Sequence, residues 1–327
     1  MIRDVRTHHM IQKKIPLLVI LGPTASGKTA LSLELAHALN GEIISTDSRQ
    51  IYREIDIGSD KIPPEKQEGV PHYMIDVASP DEVYTMSDFK RDAEAHIRDI
   101  YARGKLPMLV GGTGLYIRAI VQNFDLPEVP PNQELRQKFE KMSKEELYAM
   151  LVERDPQAAK KIHINNIPYV TRALEIIESQ GTKTARKNES PYDTLVIGID
   201  WPREELWKRI DLRVDLQMQR GLVEESRALL EKYEIKLPSM SSLGLKEFER
   251  YFKGECSLED VASTIKKNTR HYAKRQQTWF RKEPGVHWVS GPELEKHSDR
   301  LTPEIIAACL SWEKSGSFEI PTLKPNS

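Results

Sequence analysis

The sequence is poor in cysteine, in long apolar runs and in excess charge of either sign. Cys256 and Cys309 are its two cysteines, which excludes a disulfide scaffold and is typical of a reducing cytoplasm. Neither has histidine or cysteine neighbours at the spacing of a metal site. No apolar run approaches the ~20 residues that span a bilayer, and the polar residues 1–14 lack the core of a signal peptide. We therefore expect a cytoplasmic protein with no membrane partner.

The net charge of −1 over 327 residues neither favours nor excludes a nucleic-acid partner, because a neutral total can conceal a local basic patch. The length suits one large domain and a smaller one.

An apolar run at residues 17–21 leads into a glycine-containing loop and then into a helical pattern. The loop reads Gly22, Pro23, Thr24, Ala25, Ser26, Gly27, Lys28, Thr29. A buried strand, this glycine spacing and a following helix together form a phosphate-binding loop. Its backbone N–H groups and Lys28 attract an anion, and the Thr29 hydroxyl can join the shell of Mg²⁺. The sequence therefore predicts a site for a di- or triphosphate.

Two further strands deliver functional residue types at their carboxyl ends, where ligands bind in open α/β sheets. Residues 42–46 are followed by Asp47, Ser48, Arg49 and Gln50, and residues 106–110 open into Gly111-Gly112-Thr113. Asp47 can hold magnesium or act as a base. A third strand is expected over residues 72–77 with Asp76 buried inside it, so neither that strand nor 106–110 ends in the acidic residue typical of a phosphotransferase.

The composition of the chain changes from Phe124, where Pro127, Pro130 and Pro131 mark a linker and short helices follow. Asn132, the pair Ser143 and Glu146, and Asp155 are predicted to cap three of these helices, and a fourth runs near residues 167–179. We expect an α/β protein with a P-loop NTPase-like parallel sheet flanked by helices and a small all-helical insertion domain. The predicted boundaries are 15–120 and 196–290 for a discontinuous core, 121–195 for the insertion and 291–327 for a C-terminal tail.

Two basic patterns follow in the second half of the core. Arg209 and Arg213 share a helix face, either as a solvated face paired with Glu205 and Asp215 or as a clamp on phosphates. Residues 266–282 carry eight basic residues and no acid. Lys266, Arg270 and Lys274 repel one another on an isolated helix unless an anion lies across them, so this helix is predicted to contact nucleic acid or polyphosphate.

A phosphate-binding loop is compatible with two kinds of chemistry. A kinase would transfer the phosphoryl group. Alternatively, the loop can hold a diphosphate that leaves as pyrophosphate while its carbon end is attacked, with positive groups stabilising the leaving charge.

Six motifs then occur in order along the chain. They are residues 22–29, Asp47-Ser48-x-Gln50-x-Tyr52, residues 57–61, residues 111–116, Arg172-Ala173-Leu174-Glu175 and residues 273–281. In these motifs the chain closely resembles the bacterial tRNA dimethylallyltransferases (tRNA isopentenyltransferases), from about residue 17 to residue 288. The resemblance implies transfer of a dimethylallyl group from dimethylallyl diphosphate to N6 of adenosine 37 in the anticodon loop of tRNA, with release of pyrophosphate.

The resemblance also implies roles for individual residues. Asp47 would be the general base, Thr113 would lie at the reaction channel, and Lys28 and Arg213 would face the diphosphate. The remaining diphosphate contacts would come from residues 22–29 and Arg209, with Mg²⁺ near Thr29. The implied tRNA contacts are Asp47, Ser48, Arg49, Gln50, Thr113, Arg136, Arg172, Leu243, Gly244 and Lys246, to which the basic helix adds Lys274 and Arg275. A monomer is expected.

Three stretches depart from the family's usual pattern: residues 166–169, where a basic pair is usual, residues 241–246, which lose a Gln and a Tyr, and residues 58–62, where Ser59 and Asp60 replace Thr and Ala. None of these stretches includes the phosphate-binding loop or Asp47, so we expect them to change tRNA contacts rather than catalysis. The alternatives are an adenylate (free-nucleotide) isopentenyltransferase, a P-loop nucleotide or metabolite kinase, and an RNA-binding module without chemistry.

Overall fold

Six parallel strands form the central sheet of the computed structural model, which describes residues 14–124, 126, 129, 132–180, 189–241 and 244–316. The strands are β1 (Ile15–Leu21), β2 (Gly41–Ser45), β3 (His72–Tyr73), β4 (Leu106–Gly111), β5 (Tyr192–Asp200) and β6 (Val286–Ser290). Their spatial order is β3-β2-β4-β1-β5-β6. The P-loop-like α/β fold expected from the sequence is confirmed.

The described residues form thirteen α-helices, most of which cover the two faces of this sheet. They are α1 (Lys28–Ala38), α2 (Met86–Ala102), α3 (Gly114–Val121), α4 (Gln133–Phe139), α5 (Lys144–Arg154), α6 (Pro156–Ala159), α7 (Ile167–Gln180), α8 (Arg203–Gln219), α9 (Leu222–Lys232), α10 (Leu245–Phe252), α11 (Leu258–Phe280), α12 (Gly291–Lys296) and α13 (Ser298–Ser315). Successive residues of β1 alternate between two cores: Leu18 and Ile20 pack on one side, Leu17 and Val19 on the other. This double burial explains why β1 reads as an unbroken apolar run.

Two local expectations beside β3 are wrong. The third strand ends at Tyr73, and Asp76 lies outside it with a φ of 57°. The Asp76 carboxylate is half exposed and pairs with Lys61 Nζ at 2.6 Å. The sequence also predicts a helix over residues 87–103 capped by Ser87. Instead Thr85 caps α2, because Thr85 and Asp88 form a reciprocal capping box.

Helices α4 to α7 pack around a small core of their own, which includes Phe139, Leu151 and Leu174. The predicted caps at Asn132, at Ser143 with Glu146 and at Asp155 are confirmed. The prolines at 127, 130 and 131, the basic segment 181–188 and residues 317–327 lie outside the described residues. The domain boundaries given above stay a prediction.

None of the helices in the described ranges is both long and apolar enough to cross a membrane.

Candidate active site

A cavity of about 790 Å³ opens at the carboxyl ends of β1, β2 and β4. The sheet order places these three strands side by side, so the loops that follow them converge. Three loops line the cavity: Thr24 to Thr29 after β1, Asp47 to Gln50 after β2, and Gly111 and Gly112 at the end of β4. Two helices complete the lining, with Arg209 and Arg213 from α8 and Tyr272, Arg275 and Gln276 from α11. Most of the predicted diphosphate residues therefore share one cavity with Asp47.

The phosphate-binding loop is held in shape by its own backbone and by Trp201. Gly27 adopts a φ of +91°, which a side chain would disfavour. Trp201 Nε1 donates to the Ser26 carbonyl at 3.0 Å, and Lys28 Nζ donates to the Pro23 carbonyl at 2.7 Å. These bonds fold the loop around the ammonium group of Lys28.

Burial lowers the pKa of Lys28 to about 8. The Asp47 carboxylate opposes this shift, Arg213 adds to it and Asp60 opposes it. Near neutral pH the ammonium group is therefore charged, and a bound anion would stabilise that charge further.

Both arginines of the α8 pair reach the phosphate-binding loop. Arg209 Nε donates to the Ala25 carbonyl at 2.9 Å, and its guanidinium lies 4.3 Å from the centre of the Trp201 ring. Arg213 contacts the Thr24 hydroxyl. Of the two alternatives left open by the sequence, the geometry favours the clamp over a solvated face.

Asp47 is fixed by the turn that follows β2. Its Oδ1 accepts from the Arg49 N–H at 2.9 Å, and its own N–H donates to Ser45 Oγ at 3.3 Å. Ser45 Oγ in turn donates to Gln50 Oε1 at 2.8 Å. Residues 47–50 thus form a short hydrogen-bonded segment that aims Asp47 at the cavity.

Thr113 joins this segment to the turn after β4. Its Oγ1 accepts from the Ser48 N–H at 3.1 Å, and its N–H donates to the Thr46 carbonyl at 3.1 Å. Tyr272 of α11 lies beside it; burial, followed by the charge of Asp47, raises the pKa of Tyr272 to about 12. Thr113 lies next to the residues that line the cavity and supports Asp47 through Ser48.

Asp60 is a cavity residue for which sequence reasoning gave no role. Its carboxylate lies 3.1 Å from Arg213 Nε and 3.2 Å from Arg220 Nη1. The loop that carries it is attached to α9, because Glu225 accepts N–H bonds from residues 56, 57 and 58 at 2.6–3.0 Å. The sequence pointed to Asp60 only as a departure from the family pattern, in which Ala is usual at this position.

The expected repulsion along the basic helix is wrong for its first half. Lys266 Nζ lies 2.6 Å from Asp215, and Arg270 Nε donates to Asp211 at 2.9 Å. Both acids belong to α8, so the compensating charge comes from the neighbouring helix.

The second half of α11 borders a separate hollow of about 710 Å³. It is lined by Arg118, His271, Lys274, Arg275, Thr278, Trp279 and Lys282. The Arg118 guanidinium lies 4.4 Å from the centre of the Trp279 ring. Cations beside an aromatic face suit the backbone and bases of RNA.

Arg136 and Arg172 converge within the helical unit rather than at the cavity. The carboxylate of Glu175, which is fully buried, lies 2.6 Å from Arg136 and 3.2 Å from Arg172. Both arginines stabilise this unit through Glu175 and are themselves partly exposed. Their contact with tRNA stays a prediction.

The predicted contacts at residues 243–246 are only partly described. Leu243 and the side chain of Lys246 lie outside the described residues. Gly244 precedes α10 with a φ of +109°, a conformation that favours glycine.

Gln276 is the second cavity residue that sequence reasoning left without a role. Its side-chain amide accepts from the Thr24 N–H and donates to the Gly112 carbonyl, each at 2.9 Å. The sign in the sequence was its place in the motif over residues 273–281.

Comparisons with known proteins point to one family. The family model described as IPP transferase matches residues 50–283. A tRNA dimethylallyltransferase of Macrococcus caseolyticus is 46% identical over 312 residues, covering 93% of this chain and 99% of the relative. One of Bacillus cytotoxicus is 44% identical over 294 residues, covering 87% and 93%.

Solved structures with the same architecture carry related names. The full-length tRNA isopentenylpyrophosphate transferase of Bacillus halodurans is 39% identical, with a TM-score of 0.69 and coverage of 92% of this chain and 99% of that one. A eukaryotic dimethylallyltransferase acting on tRNA is 29% identical, with a TM-score of 0.82 and coverage of 94% and 81%.

Proposed function

The chain belongs to the IPP transferase family, and on this basis we propose that it is a tRNA dimethylallyltransferase acting at N6 of adenosine 37. The donor is dimethylallyl diphosphate, and the products are the prenylated tRNA and pyrophosphate. The observation that carries the proposal is the shared cavity, in which the phosphate-binding loop and Asp47 face the same space.

The diphosphate end of the donor suits the loop after β1. Backbone N–H groups at the start of α1, the Lys28 ammonium and the Arg213 guanidinium supply positive potential around it. As the bond between C1 and the diphosphate oxygen breaks, negative charge grows on pyrophosphate. Fixed cations stabilise that growing charge more than they stabilise the intact donor.

Asp47 is proposed as the general base. The N6 lone pair forms the new bond to C1, the bond from C1 to oxygen breaks, and an N6 proton passes to the Asp47 carboxylate. The Arg49 N–H on Oδ1 holds the carboxylate in place. Thr113 would act at this step through Ser48, whose N–H it accepts.

Mg²⁺ is proposed as the metal, held by the Thr29 hydroxyl together with diphosphate oxygens and water. Thr29 directly follows Lys28 and is exposed in the cavity. Within the described ranges no three His, Cys, Asp or Glu side chains form a metal cage, and such sparse protein ligation is typical of magnesium on a phosphate group. The ion would neutralise charge on the leaving group.

The acceptor base has to leave its stack to reach a cavity of this kind. Arg275 lines both the cavity and the basic hollow on α11, so RNA bound on this helix lies near the entrance. A free-nucleotide acceptor would have no use for the basic hollow, which favours a tRNA acceptor over an adenylate.

One incubation separates the candidate functions. With dimethylallyl diphosphate, Mg²⁺ and either tRNA or AMP, we expect prenylated adenosine 37 by mass spectrometry of digested tRNA and no prenylated AMP. Prenylated AMP alone would indicate the free-nucleotide enzyme. ADP formed from ATP in the absence of a prenyl donor would indicate a kinase.

Replacing Asp47 tests its assignment as the base. Asp47→Asn keeps the shape but cannot take the proton, so we expect turnover to fall by about 100-fold or more with tRNA affinity nearly intact. Asp56→Asn, which lies outside the cavity lining and pairs with Lys61, is the matched control. Unchanged turnover in Asp47→Asn would remove Asp47 from the base role.

A further inference from the structure

The side-chain amide of Gln276 occupies the gap between two ligand-facing loops. Its Oε1 accepts from the N–H of Thr24, 252 residues earlier, and its Nε2 donates to the carbonyl of Gly112, 164 residues earlier. The side chain is only 6% exposed. Both polar ends of the amide are therefore used, and solvent does not compete for them.

The turn after β4 is shaped to admit this amide. A Cβ on Gly112 would lie 2.3 Å from Gln276 Nε2, which is far inside van der Waals contact. Glycine at 112 thus leaves the space that the amide fills. No carboxylate or apolar side chain of this length can both accept from Thr24 and donate to Gly112.

The neighbouring residue of α11 supports the loop from its other side. Gln277 Nε2 donates to Asp200 Oδ1 at 3.0 Å and to the Trp201 carbonyl at 3.1 Å. Trp201 then holds the Ser26 carbonyl. Two successive glutamines of the basic helix therefore fix the phosphate-binding loop at Thr24 and, through Trp201, at Ser26.

We propose that Gln276 is a positioning residue for the donor, fixing the phosphate-binding loop by locking Thr24 to the turn at Gly112. With the Thr24 N–H held by the amide, its hydroxyl faces Arg213, and loop and arginine meet the diphosphate in one arrangement. The proposal rests on the proposed function in that the diphosphate is taken to be the donor's. One part of the proposal does not depend on the identity of the donor: the affinity of this loop for a diphosphate depends on Gln276.

The test uses inorganic pyrophosphate as the probe, measured by calorimetry on the full chain. Gln276→Met keeps length and volume but removes both hydrogen bonds. Gly112→Ala keeps a glutamine at position 276 but puts a methyl group where its side-chain amide lies, so the amide is displaced. For both variants we expect the Kd of pyrophosphate and the KM of dimethylallyl diphosphate to rise about tenfold, with tRNA affinity changed less than about twofold.

Ser257→Ala is the matched control. It removes the side-chain cap at the opposite end of the same helix, where Ser257 Oγ accepts from the Asp260 N–H at 3.1 Å. We expect it to lower the Tm without changing pyrophosphate affinity.

The outcomes separate this proposal from the proposed function. If Gln276→Met lowers the Tm as Ser257→Ala does but leaves the Kd of pyrophosphate unchanged, Gln276 only stabilises the fold and the proposal is overturned. The same follows if Gly112→Ala binds pyrophosphate normally. If the wild-type chain does not prenylate tRNA but both variants bind pyrophosphate more weakly than the wild type, the proposed function is wrong and the positioning role of Gln276 stands.

Discussion

Asp60 lines the same cavity as Lys28 and shares the guanidinium of Arg213 with the Thr24 hydroxyl. A carboxylate in this place competes with an anionic ligand for the arginine. Because Asp60 also pairs with Arg220, it keeps both cations ordered before the donor arrives. The same charge that orders Arg213 therefore weakens the net attraction for a diphosphate.

Replacing this carboxylate should strengthen anion binding. For Asp60→Ala without Mg²⁺ we expect the Kd of pyrophosphate to fall about threefold to tenfold, because a negative charge leaves a partly buried site. Calorimetry at low salt measures this directly. Asp56→Ala, whose carboxylate pairs with Lys61 outside the cavity lining, should leave the Kd unchanged; weaker binding by Asp60→Ala would contradict the competition.

The lowered pKa of Lys28 makes anion binding depend on pH. The folded-state pKa is about 8, so the ammonium form dominates below pH 8 and is lost as the pH rises through it. We expect pyrophosphate affinity to be full near pH 7 and to weaken from about pH 8 upwards, measured by titrations between pH 6.5 and 9.5. In Lys28→Met the affinity should be low throughout and the step near pH 8 should disappear.

The functional residues that could be predicted from the sequence are those whose role follows from the residues next to them in the chain. Lys28 and Asp47 follow buried strands, so their place at the sheet edge could be inferred from local pattern. Asp60 and Gln276 act through Arg213 and Thr24, which are more than 150 positions away in sequence. No local pattern contains such a partner.

At the scale of elements, α8 and α11 form one charged unit. Asp211 and Asp215 of α8 pair with Arg270 and Lys266 of α11. Reading α11 alone predicted repulsion between its cations, because spacing within one helix carries no information about the helix beside it. What remains for RNA is the second half of α11, which borders the basic hollow.

This division predicts different effects for the two halves of α11. For Lys274→Ala with Arg275→Ala we expect weaker tRNA binding and a smaller slope of log Kd against log salt, because about two phosphate contacts are lost. Filter binding between 50 and 300 mM salt, roughly the range where such slopes are resolved, measures it. Lys266→Ala is the matched control and should keep the slope, because the Lys266 ammonium already pairs with Asp215. An unaltered slope in the double variant would show that the second half of α11 is a solvated face that does not contact RNA.

At the scale of the whole molecule, the sheet and the helical unit have separate cores. The helical unit depends on Glu175, which joins the residue that caps α4, Asn132, to the two arginines. Burial would raise the pKa of Glu175, but hydrogen bonds from Arg136, the Asn132 N–H and Arg172 hold it below its usual range. The carboxylate therefore stabilises the unit above its unfolded pKa, and this contribution is lost as the pH falls.

Glu175→Gln should loosen the helical unit and leave the donor site intact. We expect a loss of about 2–3 kcal/mol, since two partly exposed arginines lose a buried partner. Hydrogen exchange should show faster exchange over residues 133–180 and unchanged protection in β1 and β4. Glu178→Gln on the same helix removes only a surface pair with Arg154 and should cost under about 0.5 kcal/mol; equal losses of protection in α7 and β1 would contradict independent cores.

The architecture was predictable where pattern and burial coincide, as in β1, β2 and β4. The strand β6 was not predicted, because Val286–Ser290 is only partly buried at the sheet edge and lacks an apolar run. The predicted third strand was too long because Met74 and Asp76 both adopt positive φ values. The alternation of apolar and polar residues along the chain does not reveal this backbone conformation.

The hydrogen bond between Thr24 and Gln276 also determines when the donor site can form during protein synthesis. The loop leaves the ribosome early, but the amide that holds it follows 252 residues later. At about 5–20 residues per second that interval is roughly 13 to 50 s. Throughout it the nascent chain carries a phosphate-binding loop without its restraint, so full affinity for the donor arises only when α11 has been made, and a chain truncated before α11 would bind diphosphate weakly.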